Sequence, residues 1–123
     1  MNKRKTGSIY ERLAASYLNK HEITIIGRNV KSFRGAEIDL IGRDKNGTII
    51  FFEVKYRKST KAGSPAEAVT NKKMKSISFA ADYFRCHMNI ADKTPLRFDV
   101  IAITGGISAP VIHWYKNAFE YIR

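Results

Sequence analysis

Asp39, in "AEIDLIGR", and Glu53 and Lys55, in "TIIFFEVKYR", are charged residues set inside apolar, strand-like runs. Burying such charges is costly unless they are paired, hydrated or bound to metal. Side chains two apart on a strand share a face. Glu53 and Lys55 therefore point together with Ile49 and Phe51, and Glu37 and Asp39 point together with Ile41. The intervening "DKNG" is a hairpin signal. A two-residue loop would put Asp39 and Glu53 on opposite faces. A three-residue loop, Lys45, Asn46 and Gly47, sets Asp39 opposite Glu53 and Glu37 opposite Lys55. Gly47 suits the left-handed third position that such a loop wants. We therefore expect the three-residue loop, or a bulge of equivalent effect, with Ile50, Phe52 and Val54 turned to the core.

Two carboxylates a strand apart on one face repel each other. A hard divalent cation relieves that repulsion, and Mg²⁺ typically needs only one or two carboxylates plus water and phosphate. Lys55 beside the ion offers a positive charge for a phosphate oxygen or an attacking water. Such a set can hydrolyse a phosphodiester, with the metal as Lewis acid and activator of water. The plainer reading is a solvated strand face of cross-strand ion pairs, each worth little.

The elements that must position these residues follow from periodicity. "SIYERLAASYLNKH" predicts a helix over about residues 8–20, with Ser8 and Glu11 as a capping box and Tyr10, Leu13, Ala14, Tyr17 and Leu18 on one face. "ITIIGRNVKSF" predicts a strand bent at Gly27, followed by the two hairpin strands. After a polar loop, "SPAEAVTNKKMKSISFAADYFRCHM" predicts a long helix, with Ser64, Pro65 and Glu67 as its start. Its apolar stripe is Val69, Met74, Ile77, Ala80, Ala81, Phe84 and Met88. "LRFDVIAIT" and "PVIHWYK" predict two more strands around a Gly105-Gly106 turn, with a short helix closing the chain. The order α-β-β-β-α-β-β implies an α/β fold bordering on α+β, a mixed β-sheet flanked by helices.

The 123 residues suit a single domain over 1–123. No apolar run reaches the roughly 18 residues of a membrane span, so no membrane partner is expected. The basic start has no apolar segment after it, which argues against a secretory signal. Cys86 is the one cysteine, so no intrachain disulfide forms and a reducing cytoplasm is expected. Lys and Arg number 22 against 11 Asp and Glu, a formal net charge of +11. That excess favours a polyanionic partner, with nucleic acid as the usual one.

The chain resembles the PD-(D/E)xK nuclease superfamily in its acidic residue, its Glu-x-Lys on the next strand and its preceding helix with a Glu. More closely it resembles the YraN family of small bacterial proteins, predicted endonucleases related to archaeal Holliday junction resolvases. The matching segments are "GSIYERLAASYL", "RNVKSFRGAEIDLIGRD", "IIFFEVKYRK", "SPAEAVTNKK" and "RFDVIAI". The resemblance implies a restriction-endonuclease-like core and a Mg²⁺-dependent DNA endonuclease, with Mn²⁺ as the substitute ion. Branched or repair and recombination intermediates would be its substrates. Asp39 takes the place of the motif Asp, Glu53 that of the second acid, Lys55 that of the lysine and Glu11 that of the helical Glu. Ile38 stands where the superfamily label has Pro. Asp39 and Glu53 would hold the metal, joined by the Val54 carbonyl, and Lys55 would act on the water and the phosphoryl charge.

The other candidates are placed around this set. Glu11 serves either as the Ser8 cap or at the metal. Glu37 is a salt-bridge partner or a second-layer group behind the ligands. Arg57, Lys58, Lys61, Lys72 and Lys73 are the expected nucleic-acid contacts, with Lys75, Arg28, Lys31 and Arg34 extending the basic surface. Asp99 is expected to pair with Arg97. Trp114, Tyr115 and Tyr121 are expected in the core or at an edge, and Cys86 as a small core filler. His21, His87 and His113 are too scattered for a shared metal site. A homodimer would supply the paired cuts a four-way junction needs. The rival function classes are a nucleic-acid-binding module that does not cut, and an interaction protein of a repair or recombination complex.

Overall fold

The computed structural model describes residues 3–32, 37–57 and 70–120. Helix α1 (Lys3–Lys20) leads into β1 (Thr24–Lys31), β2 (Glu37–Arg43) and β3 (Ile49–Arg57). Helix α2 (Asn71–His87) follows, then β4 (Leu96–Thr104) and β5 (Val111–Phe119). The five strands form one sheet in the order β1-β2-β3-β4-β5. Neighbours are antiparallel except β3 and β4, which run parallel. A parallel pair needs a long crossover, and the segment carrying α2 supplies it. The fold is thus mixed α/β with two helices, in the order expected.

The expected three-residue loop is present. Asp44 N–H donates to the Thr48 carbonyl at 3.0 Å and closes the loop around Lys45, Asn46 and Gly47. The Asp44 carboxylate also accepts the amides of Asn46 and Thr48, each at 2.9 Å. Gly47 has φ +89°, which a side chain would strain. The resulting register pairs Leu40 with Phe52 and Ile41 with Phe51.

Both faces of the sheet are covered, which explains why "IIFF" is apolar without alternation. Ile50 and Phe52 pack with Tyr10, Ala14 and Leu18 of α1, and Val54 and Tyr56 continue that row. Ile49 and Phe51 pack with Ile77, Ala80, Ala81 and Phe84 of α2. Glu53 and Lys55 extend this second row, so they sit on the α2 side of the sheet rather than on a bare face.

Several expected boundaries change. Helix α1 already runs from Lys3, so Ser8 lies inside it and is not its cap; Lys and Arg are good helix formers and carry the helix back past the capping signal. The second helix is not continuous from Ser64. Thr70 is extended (φ −73°, ψ 164°) and its hydroxyl accepts the Lys73 amide at 3.1 Å, which starts α2 at Asn71. The cap expected at Ser64, Pro65 and Glu67, and Val69, lie outside the described residues. Met88 and Cys86 are exposed rather than in the core: Cys86 lies off the stripe that turns Ile77, Ala81 and Phe84 inward, and Met88, on the line of that stripe, stands past its end as the C-cap of α2. The closing helix is replaced, as far as Phe119, by the extension of β5. The expected bend in β1 is real, with a register shift between Ile25 and Gly27.

Candidate active site

The strand ladder between β2 and β3 is regular up to Leu40 and Phe52. Beyond it, the Asp39 carboxylate accepts the Val54 N–H at 2.8 Å, a bond from side chain rather than backbone. This ties Asp39 to β3 one residue past Glu53. Burial chiefly, and then the charge of Glu53, push the Asp39 carboxyl up to about 7; the Val54 amide opposes the rise, and Glu11 and Glu37 add to it.

Glu53 is only 6% exposed. One of its oxygens, Oε1, holds two cations: Lys55 Nζ at 3.3 Å and Lys73 Nζ at 3.5 Å. The expected pairing of Glu37 with Lys55 is therefore not the one formed. Lys55 turns to its own strand neighbour, because the ladder that would have set Glu37 opposite it ends at Leu40.

Glu11 reaches the same region from α1. Burial raises its carboxyl most; a hydrogen bond with the Asn29 side chain and the charge of Arg28 work against that, while Glu37 and Glu53 raise it further. With Ser8 inside the helix, the cap reading of Glu11 falls away. Asn29 has φ +50° and lies in β1 between Arg28 and Val30, which pair with Leu40 and Ile38 across from Asp39. Asn is among the few side chains that accept this conformation readily. Tyr10 stacks on Tyr56 with ring centroids 3.9 Å apart and planes 13° from parallel. Their hydrogen bond, with burial, pushes the Tyr10 hydroxyl up to about 12. The stack holds this part of α1, and with it Glu11, against the end of β3.

Four carboxylates thus influence one another: Glu11, Glu37, Asp39 and Glu53. Among the described residues no three such groups are gathered tightly enough to enclose a metal ion alone. A Mg²⁺ ion does not require that; one or two carboxylates with water and phosphate suffice. The donors here are hard oxygens, and the charges of Glu53, Glu11 and Glu37, which add to the effect of burial on Asp39, are ones that a divalent ion would offset. The residues present therefore fit such an ion. Val54 is shown by its N–H, and its carbonyl remains an expected ligand.

Of the expected nucleic-acid contacts, Arg57 is half-buried at the end of β3 and Lys72 is exposed on α2, as is Lys75. Lys73 joins the carboxylates instead. Arg28 and Lys31 are exposed along β1, while Lys58, Lys61, Arg34 and Tyr121 lie outside the described residues. Sequence reasoning missed Asn29, whose signal was an Asn within an otherwise β-prone strand. It also missed the tie of Lys73 to Glu53, which has no local signal because the two are joined only through the crossover.

Asp99, as expected, is structural. It is fully buried and takes Arg97 Nε and Nη2 at 2.9 Å each, Trp114 Nε1 at 2.8 Å and the Asn117 amide at 2.8 Å. A cleft of about 600 Å³ lies near it, lined by Lys20, His21, Lys45, Arg97, Trp114 and Lys116 among others. It is far along the strands from Asp39 and Glu53, and two of its cations are already paired, Lys45 with Glu22 and Arg97 with Asp99. Geometry and chemistry favour the carboxylate cluster over this cleft. No helix among the described residues is long and apolar enough to cross a membrane.

A family model described as "Uncharacterised protein family UPF0102" matches residues 10–103. A UPF0102 protein of Aliivibrio fischeri (strain MJ11) is 40% identical over 118 residues, covering 95% of this chain and 93% of its own. One from Lachnoclostridium phytofermentans is 38% identical over 120 residues, covering 98% and 97%. One from Vibrio cholerae (strain M66-2) is 40% identical over 119 residues, covering 96% and 94%. The chain belongs to the UPF0102 (YraN) family.

Proposed function

We propose that this chain is a Mg²⁺-dependent DNA endonuclease, acting on branched or otherwise structured DNA of repair and recombination. The observation that carries the reading is the mutually repelling pair of half-buried Asp39 and buried Glu53, with Lys55 beside Glu53. Asp39 and Glu53 would hold the ion, with the Val54 carbonyl as a further ligand and Mn²⁺ as the substitute. When bound, the ion supplies Lewis acidity toward the phosphoryl oxygens and a more acidic water. Lys55 orients the attacking water and offsets the charge that grows on the phosphate. Glu11, fixed by Asn29, and Glu37 shape the negative field around the ion. The net charge of +11 holds the DNA, chiefly by its phosphates.

The test is incubation with branched, flapped and linear DNA in Mg²⁺ or Mn²⁺, beside Asp39→Ala and Lys55→Ala. Cleavage by the wild type alone supports the site. Cleavage that persists in both variants removes it. One observation favours a second reading: both nearby lysines are engaged by Glu53, as in a plain ion-pair network. Binding of DNA under every condition without cleavage would favour that reading, a nucleic-acid-binding module. Recovery of protein partners, with no DNA affinity at low salt, would favour an interaction protein.

A further inference from the structure

We infer that Lys73 is a second phosphate-directed lysine of the site, stored on Glu53 until a divalent ion displaces it. The inference rests on the nuclease reading. Lys55 and Lys73 meet one oxygen of a buried carboxylate from two elements, β3 and α2. Among the described residues Asp39 has no such cation. A metal ligand oxygen lies about 2 Å from Mg²⁺. Two ammonium groups at 3.3 and 3.5 Å from that same oxygen would face the ion at close range. Coulomb repulsion at such distances does not favour all three cations together. One or both lysines must turn away as the ion arrives, and a DNA phosphate at the metal is the anion that would receive them. Ion and phosphate then bind cooperatively, because each relieves a cost of the other.

The start of α2 supports this role. Lys73 occupies the third helical position, where Glu is common and where the dipole disfavours a cation. The first turn of α2 holds no acid at all, and Lys72 stands beside Lys73. A local preference is set aside where an anion is to be met. Lys73 is 43% exposed along its side chain, so its ammonium has room to leave Glu53 toward solvent or substrate.

The bland alternative is that Lys73 only neutralises Glu53. The two differ in a binding measurement that needs no turnover. Mn²⁺ is titrated into the full chain alone and with a short DNA duplex that is first shown to stay intact with the protein in both Mn²⁺ and Ca²⁺; duplex affinity is measured with and without Ca²⁺. In the wild type, DNA and the ion should strengthen each other about 5-fold or more. Lys73→Met should bind Mn²⁺ more tightly without DNA and lose most of that mutual gain. Lys73→Arg should keep it. A Lys73→Met protein with the wild-type mutual gain overturns the inference and leaves the nuclease reading intact, whatever its melting temperature. A wild type that binds no divalent ion overturns both. If Lys73→Met does not fold, Lys73→Gln takes its place under the same criteria.

Discussion

Asp99 and Asp39 are carboxylates placed on strands of one sheet, and they are treated in opposite ways. Asp99 is fully buried and meets a guanidinium, an indole N–H and a backbone amide. Each of its oxygens is satisfied, and its work is to hold β5 to β4 where the register shifts after Phe98 and Asn117 adopts φ +53°. Among the described residues Asp39 accepts one amide, and the charges that raise its carboxyl are those of Glu53, Glu11 and Glu37. The first arrangement is closed. The second is short of positive charge, and a group in that condition has something left to bind. Burial alone does not separate a structural acid from a reactive one; the count of donors around it does.

The sharpest way to break the comparison is to remove each acid. Asp39→Ala should lower DNA cleavage by about 10²–10³-fold or more while the protein still folds, measured by gel assay beside circular dichroism. Asp99→Ala should do the reverse. It leaves Arg97 and Trp114 without their acceptor and should cost roughly 3–5 kcal/mol of stability, measured by urea unfolding.

A finer test uses pH. The Asp39 carboxyl is raised from 3.8 to about 7 in the folded chain. The folded state thus holds a proton that the unfolded state releases. This contribution to stability is complete below about pH 4 and is lost as pH rises through about 7. Asp39→Asn should therefore gain on the wild type across that window, by roughly 1–4 kcal/mol at most above pH 7. Thermal melts at matched pH would show this, and a gap of constant size from pH 4 to 8 would contradict it. Because the ion must displace the same proton, Mn²⁺ affinity should climb toward pH 7 and then level off. The smallest expected effect is at the surface: Lys72→Ala should weaken DNA binding nearly alike for all sequences and lower the salt slope by about 1.

Particular residues show how far the sequence alone carried. The parity of the hairpin was legible because strand side chains alternate strictly and Gly47 marks one loop length over another. The ladder from Arg43 and Ile49 to Leu40 and Phe52 keeps the expected register. The apolar stripe of α1 was equally legible, with Tyr10, Ala14 and Leu18 buried as expected. The start of α1 was not, since a capping signal states a local option that the preceding helix formers overrode. Met88 fell outside the core for a related reason: periodicity sets a stripe, but the partner surface decides where it ends.

By itself, then, the chain determined its strand faces, its hairpin register and its excess of positive charge, all of which follow from period, turn chemistry and composition. Only the tertiary structure decided which cation meets which acid. The reason is distance along the chain. Lys73 reaches Glu53 through a crossover, Glu11 reaches Asn29 from another element, and the Asp39 side chain replaces a ladder bond at a point where two strands part. No local propensity encodes such meetings, because each depends on how packed elements are set against one another, and it is there that the acids of the site differ from Asp99.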